Sequence, residues 1–517
     1  MARRTAIRFS GLSSHTDLHL KTSAFVLLLL WILGRTMTAH AQAAPPDIVL
    51  QGKITGTQNK TWQEVPFEVP AEVHRISVDF SYTGKENRTA LDLGIADPER
   101  FRGYSGGNKS HFTIGESDAT PSYLPGAIPP GTWKLLISVP NIRTSQTSDY
   151  RAEIRFNSKV EDGSFTQVPL ETGLRWYRGD LHMHTAHSDG SCVSQSGRRV
   201  PCPVFVTAEA ATADGLDFIA ITDHNATSHY NDMRELQPYF DRLLLIPGRE
   251  ITTFWGHFNI FGTTQYIDYR AVKDGSRSVN SILRDAREVG AITSVNHAEA
   301  PGGEICMGCR WEPPSPVDMT LFTASEVING GSHTLFSTSF WDDQIASGQH
   351  LTGIGGSDSH NGAALPGEPG AVGWPTTVVE ASELSVPAIL DGIRRGRAFI
   401  DLTASHDKLL DIEAEEGEST NKPASHVRMG GTLDAPSGHS VLFRVQVTAC
   451  LDCVAHVFLD GKEIPDLTQA RVSGSNASLS FHWTSDGNRH WIRAELRDAE
   501  GHLALVSNPV YVNDTQQ

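Results

Sequence analysis

The stretch Asp180-Leu-His182-Met-His184-Thr-Ala-His187-Ser188-Asp189-Gly190 sets two imidazoles on alternate positions, with a carboxylate following closely. Side chains alternate across a β-strand, so His182 and His184 share one face and Met183 takes the other. Groups of the same kind recur downstream, each ending a short apolar run. They are Thr-Asp223-His224, Gly-Arg-Glu250, Gly-His257, Asn-His297 and Ser-Asp358-Ser-His360. Asp358 and His360 repeat the alternation of the first pair.

The runs that carry these groups decide the fold class. Leu216–Thr222, Leu243–Pro247, Ala291–Val295 and Leu351–Ile354 read as strands, near-continuously apolar and therefore buried on both faces. Between them, residues 279–289 and 386–395 space Val, Ile and Leu as a helix does. Strands alternating with helices predict an α/β domain over residues 171–403, with a parallel sheet, open or closed, covered by helices. In such folds sites form beyond the carboxyl ends of strands, where the His, Asp and Glu residues are expected to lie. Residues 42–170 and 404–517 instead show short alternating stretches, such as His74–Ser81, Trp133–Val139, Val441–Val447, Ala455–Leu459 and His490–Leu496, separated by Gly, Pro and Asn. Each is expected to form a β-sandwich, and Asp460-Gly461 marks a tight turn in the second.

Imidazole and carboxylate are ligands that divalent transition metals prefer. Any one piece alone is weak, because an isolated His-x-His or Thr-Asp-His is more often a surface or buried-polar pair. Together they are not, since ionisable groups gathered in one cavity without a cation would cost many kcal/mol. His182, His184, Asp189, His224, Glu250, His257, His297, Asp358 and His360 are therefore the candidate metal ligands of a hydrolytic centre.

These motifs, together with Ile221-Thr-Asp-His224, Gly248-Arg-Glu-Ile-Thr252, Gly256-His-Phe-Asn259 and Gly356-Ser-Asp-Ser-His360, resemble the polymerase and histidinol phosphatase (PHP) metal-dependent hydrolases. Within that family they are most similar to the carbaryl-hydrolase-like branch (the CehA/McbA group). The resemblance spans residues from about 176 to 400. It implies a distorted (β/α)7 TIM-like barrel holding two or three divalent ions, Mn, Fe or Zn. By position, His182, His184, Glu250 and Asp358 would hold one ion. Glu250 would bridge to a second, completed by His257 and His297. Asp189, His224 and His360 would hold a third. A hydroxide shared by two ions would attack a phosphoester, or in the alternative a carbamate or carboxylic ester. Asp358 is the expected acceptor of the water's proton and His360 the expected donor to the leaving group.

Composition sets the remaining bounds. The chain has 517 residues and a formal net charge of −17, against the basic face that a nucleic-acid binder needs. The expected partner is a small-molecule ester. Arg3, Arg4, Arg8 and Lys21 precede the apolar run Ala24–Leu33 and the small-x-small motif Ala39-His-Ala41. This reads as a signal peptide over residues 1–41 of a secreted or periplasmic protein, without membrane insertion after cleavage; Arg35 leaves an uncleaved anchor as the alternative. The six cysteines form three local pairs, Cys192/Cys202, Cys306/Cys309 and Cys450/Cys453, which an oxidising compartment favours as disulfides. Arg198 and Arg199, between the first pair, read as an exposed basic turn. Asp223 reads as a neighbour that caps or orients a ligand, Arg249 as an outward ion-paired residue, and His187, His229 and His333 as residues outside the ligand set.

Two other readings compete. The amidohydrolase barrel also opens on His-x-His and closes on Asp, but it needs a carboxylated lysine where this chain has Glu250. A metal-stabilised surface binding protein without catalysis would show lost ligands, and none of the expected positions is lost.

Overall fold

The computed structural model describes residues 45–157, 168–331, 334–417, 425–464 and 470–514. The expected signal peptide and His333 lie outside them. No helix among the described residues is long and apolar enough to cross a membrane.

The first part of the chain is all β. Its strands are β1 (Ile48–Thr55), β2 (Trp62–Val69), β3 (Arg75–Tyr82), β4 (Ala90–Ala96), β5 (Phe101–Tyr104), β6 (His111–Gly115), β7 (Gly131–Asn141) and β8 (Thr147–Phe156). They pair into two four-stranded sheets, ordered β1-β8-β3-β6 and β2-β7-β4-β5. Alternate positions turn inward, so Ile76 and Val78 meet Trp133, Leu135 and Ile137 in one core. The Trp133 indole donates to Pro129 O at 2.9 Å, which satisfies its one polar atom.

The middle of the chain mixes strands and helices. Its strands are β9 (Thr172–Asp180), β10 (Ser191–Val193), β11 (Arg199–Pro201), β12 (Phe218–Ile221), β13 (Leu244–Thr253), β14 (Gly256–Phe261), β15 (Ile292–Val295), β16 (Ala324–Asn329), β17 (Leu335–Phe336), β18 (Thr352–Gly356), β19 (Thr376–Glu383) and β20 (Ala398–Asp401). Its helices are α1 (Val204–Ala213), α2 (His229–Leu236), α3 (Val279–Glu288), α4 (Thr338–Ala346) and α5 (Val386–Arg394). In α3 the buried residues Val279, Ile282, Leu283 and Ala286 fall on one face, and the Ser278 side chain caps the first turn by accepting from Ser281 N at 3.2 Å. Ser385 caps α5 in the same way, from Ala388 N at 3.3 Å.

The sheet is mixed rather than wholly parallel. β9, β12 and β13 pair in parallel, as do β15, β16 and β18. Between the two groups β14 runs antiparallel to both β13 and β15. Only Phe254 and Trp255 separate β13 from β14, too short a link for a parallel crossover. A parallel bridge between Met183 and Ser359 joins the segments that follow β9 and β18. Five α-helices occur among the described residues, fewer than a (β/α)7 barrel would carry; the architecture is mixed α/β, strand-rich and helix-poor.

The last part of the chain adds β21 (Leu409–Glu416), β22 (Ser425–Arg428), β23 (Thr432–Leu433), β24 (Ser440–Thr448), β25 (Val454–Leu459), β26 (Lys462–Glu463), β27 (Ala470–Arg471), β28 (Asn476–Thr484), β29 (His490–Arg497), β30 (Leu503–Ser507) and β31 (Val510–Val512). One sheet runs β22-β21-β24-β28. The layer facing it, built on β25, β29 and β30, continues through the β20–β30 pairing into β19 and β9. Hydrogen bonding therefore crosses position 403 without a break. Asp460 and Gly461 turn between β25 and β26 with φ of 51° and 75°, the doubly positive pair of a tight hairpin.

A buried ion cluster ties the first sheets to the middle of the chain. Asp118, fully buried, pairs with Arg75 on β3 and with Arg234 on α2, and Arg75 also reaches Thr264 Oγ1 at 3.1 Å. Burial alone would raise the Asp118 pKa, but the two guanidiniums outweigh it and hold the carboxyl below its usual range. Its contribution to stability is then complete at neutral pH and is lost only as pH falls through that depressed value. Asp118→Ala removes the buried carboxylate that Arg75 and Arg234 share and is expected to cost about 3–5 kcal/mol in denaturant unfolding at pH 7. A cost below about 1 kcal/mol would remove the cluster from the docking account.

Candidate metal centre

The candidate ligands reach one place from different strands. His182 and His184 follow β9, His224 follows β12, His297 follows β15, and Asp358 and His360 follow β18. Glu250 and His257 instead sit inside β13 and β14. The parallel pairing of β12 with β13 ends at Pro247, so Glu250 projects beyond it on the longer strand. Three backbones near the centre are left-handed: Asn225 at φ 52°, His297 at 26° and Asp358 at 49°. Non-glycine residues hold such angles only where the surroundings dictate them, and such strain clusters at functional sites.

Glu250 is the hub. Its Oε1 lies 3.4 Å from His182 Nε2, 3.3 Å from His257 Nδ1 and 3.4 Å from His297 Nε2. Its Oε2 lies 3.6 Å from His184 Nε2 and 2.7 Å from His224 Nδ1. Asn296 Nδ2 also donates to Oε1 at 2.9 Å. Asp358 Oδ1 lies 3.0 Å from His184 Nε2 and 3.4 Å from His182 Nε2. On the solvent side, Asp189 Oδ1 is 3.4 Å from His360 Nε2 and 3.8 Å from His224 Nε2.

All nine candidates therefore meet. Their ligand atoms fall into four overlapping groups, each within 4.8 Å: His184, Asp189, His224 and His360; His182, His297 and Asp358; His182, His184 and Glu250; His224, Glu250 and His257. The sorting differs from that implied by the resemblance at three residues. His297 groups with His182 and Asp358, His257 with His224, and His184 also joins the outer group.

The chemistry of the set fits divalent ions. His257 Nε2 and His297 Nδ1 are buried without a hydrogen-bond partner, and His182 Nε2 has only carboxylate oxygens at 3.4 Å, a costly arrangement unless something else satisfies them. Neighbouring groups also fix the rings. His182 Nδ1 faces Glu326 Oε1 at 2.9 Å, which keeps the proton on Nδ1 and turns the Nε2 lone pair to the centre. His360 Nδ1 faces Asp358 O at 2.9 Å, which fixes the plane of its ring. The Asn329 amide donates to Glu326 Oε2 at 3.0 Å and to Asp358 Oδ2 at 3.2 Å, linking the two acids.

Electrostatics follow from this crowding. Burial alone would lower the His182 pKa, but Asp358, Glu326 and Glu250 hold it well above its ordinary value. Burial would likewise raise Glu250 and Asp358, but the histidines around them keep both well below the carboxylate range. His184 is pushed down to about 4 by burial and by His360 and His224, despite the Asp358 hydrogen bond. His360 rises to about 9, because Asp189 and Asp358 outweigh its burial.

Sequence reasoning did not single out Glu326, Asp180 or Asn329. Asp180 is fully buried and accepts from the backbone of His182, Ser357 and Gly373 at 3.2, 3.0 and 2.8 Å, binding the β9 end to the β18 end. Its place at the head of the first motif was the available signal. Glu326 lies within β16, Ala-Ser-Glu-Val-Ile-Asn, half of whose residues are polar, so only its burial in the fold marks it. Asp223 accepts from Thr185 N at 2.8 Å, Thr185 Oγ1 at 2.7 Å and Ser188 Oγ at 2.6 Å, so it holds the His184–Asp189 loop. Two expectations change. Arg249 is buried, not ion-paired outward; its Nη2 donates to Ile267 O at 3.2 Å, and Nε and Nη1 have no hydrogen-bond partner. Cys306–Cys309 and Cys450–Cys453 are disulfides, but Cys192 and Cys202 are buried free thiols. Burial and the neighbouring Cys192 push the Cys202 thiol up to about 12, so it is protonated at neutral pH.

No family model matches the chain, and no curated protein does. Among solved structures, it is similar to a two-domain protein containing a predicted PHP-like metal-dependent phosphoesterase from Bacteroides vulgatus, at 19% identity and a TM-score of 0.35, over 66% of this chain and 97% of that one. It is also similar to PsfC from Pseudomonas syringae, at 15% identity and a TM-score of 0.26, over 42% of this chain and 88% of that one. Neither likeness is close enough to carry an argument.

Two outcomes test the centre. Glu326→Ala is expected to weaken metal retention about 10- to 100-fold in chelator competition, with the far-ultraviolet circular dichroism unchanged; unaltered retention would place Glu326 outside the centre. Denatured without reductant, the chain is expected to yield two titratable thiols from its six cysteines; none would mean that Cys192 and Cys202 are bonded.

Proposed function

We propose that this chain is an exported metal-dependent hydrolase of the PHP type that cleaves phosphoesters. The observation that carries the reading is Glu250, a buried carboxylate with five imidazoles within 3.6 Å. A structural ion pair needs one partner, whereas this arrangement offers several ions a common bridging acid. Two or three divalent ions fit the four ligand groups, and nitrogen and oxygen donors without sulfur suit Mn, Fe or Zn alike. The ions would supply Lewis acidity and a water acidic enough to ionise near neutral pH.

The chain's own groups do the rest. Asp358 is held ionised by His182 and His184, with Asn329 Nδ2 donating to its Oδ2, and the ionised carboxylate is the form that accepts a proton from water. His360 stands half-exposed at the rim, its Nε2 3.4 Å from Asp189 Oδ1, where its protonated ring would give a proton to a departing alcohol. Glu326 and Asn329 keep the imidazole and the carboxylate aimed. Export is supported by the arginine-led apolar run with its small-x-small motif and by the two disulfides. The distorted barrel and the carbaryl-hydrolase-like branch belong to the same proposal and rest on the motif resemblance.

A second reading, hydrolysis of a carbamate or carboxylic ester, draws on a different observation. Phe254, at the β13–β14 turn, is 80% exposed, and Ile305 and Met307 beside the Cys306–Cys309 bridge are 83% and 82% exposed. Gly308 packs on the backbone at Thr253 and Phe254, so these apolar side chains border one rim, near Thr252, whose hydroxyl meets His224 Nδ1 at 2.6 Å.

Purified protein assayed with nitrophenyl phosphate, bis-nitrophenyl phosphate and naphthyl carbamate is expected to favour a phosphoester. Glu250→Ala is expected to abolish turnover and to lower bound metal by at least one equivalent, read by elemental analysis. Retained activity in that variant would contradict the bridging role.

A further inference from the structure

A cavity of about 600 Å3 opens beside the metal centre, with Asp358, His360 and Asn361 on one wall and Ser191, Cys192 and Arg199 on another. Arg199 is the only lysine or arginine among the described residues that line it. Its Nε donates to Ser191 Oγ at 2.9 Å, which fixes one edge of the guanidinium. The remaining edge meets no carboxylate among the described residues, although acids outnumber bases 60 to 43 in the chain.

The β10–β11 hairpin that carries Arg199 is anchored to the centre. Ser191 N donates to His360 O at 2.8 Å, Cys202 N to Gly190 O at 3.0 Å, and Ala186 N to Cys202 O at 2.7 Å. Val193 pairs with Arg199 and Cys192 with Val200, so the hairpin is a short rigid arm, not a free loop. The arginine that reads from sequence as part of an exposed basic turn is therefore exposed into the mouth of the candidate centre.

Resting on the hydrolase reading above, we infer that this cavity is the substrate chamber and that Arg199 makes it selective for phosphomonoesters. A guanidinium with one edge open offers paired N–H donors that match two oxygens of a phosphate. A phosphomonoester carries such oxygens besides the one that reacts; a neutral carbamate or carboxylic ester does not. In the reaction, R–O–PO3(2−) and water give R–OH and HPO4(2−): the water oxygen bonds to phosphorus, the P–OR bond breaks, and the alcohol leaves with a proton. Arg199 would bind the non-bridging oxygens throughout, as a specificity-determining residue that transfers no proton. Because it is exposed, its effect weakens with salt.

The test uses metal-loaded wild type, Arg199→Ala and Arg199→Lys, with metal content measured for each. Inorganic phosphate, titrated by calorimetry, is expected to bind Arg199→Ala about tenfold to hundredfold more weakly, with Arg199→Lys between the two. The KM for nitrophenyl phosphate is expected to rise by a similar factor while kcat changes less, and the KM for a neutral naphthyl ester is expected to stay level. Phosphate binding that is absent in wild type, or unchanged in Arg199→Ala at equal metal content, overturns the inference. So does an equal KM rise for the neutral ester, which marks a merely structural role. Failure of the hydrolase reading is distinguishable, since it shows as a wild type that retains no metal or as activity surviving Glu250→Ala.

Discussion

The centre depends on one buried carboxylate. Glu250 is withdrawn from water, and five imidazoles converge on its two oxygens. Removing an ionised carboxyl from water costs several kcal/mol even after relaxation, so its surroundings must return that energy. Divalent cations shared between the imidazoles and Glu250 would return much of it, and would account for the buried nitrogens left without hydrogen bonds.

The rest of the middle of the chain serves this convergence. Strand ends from β9, β12, β15 and β18 deliver ligands to one rim, while β13 and its hairpin partner β14 extend past their parallel pairing to bring Glu250 and His257 inward. Left-handed backbone at His297 and Asp358 turns each ligand off the line of its strand. Close packing leaves these positions little latitude. A Cβ on Gly356 would lie 2.4 Å from Glu326 Oε1 and 2.5 Å from His182 Cβ, so glycine there lets β18 approach the β9 end. Asp180 then bonds the two ends through three amides.

The flanking sheets contribute rigidity. The first sandwich is fastened through the Asp118 cluster, and the last layer shares hydrogen bonds with the central sheet by way of β20 and β30. Both attachments put polar or backbone groups under packed structure, where they are satisfied only in one arrangement. The middle of the chain is thus held from two sides while its strand ends stay accessible from the rim that Asp189, His360 and Arg199 border.

Much of this was legible in the chain. Period-two alternation and apolar runs marked β12, β15 and β18, helical spacing marked α3 and α5, and the donor types named the nine candidate ligands before any distance was known. Those features are local: they follow from which side chain stands where along a strand or helix. The antiparallel strand β14, the grouping of His297 with His182, the link from Glu326 to the His182 ring, the burial of Arg249 and the free thiols of Cys192 and Cys202 were decided only in three dimensions. Each depends on how far apart segments distant in sequence come to rest, and a distance between strands is a property of packing. The residues declare that they can bind a cation; the tertiary structure alone decides which of them can reach the same one.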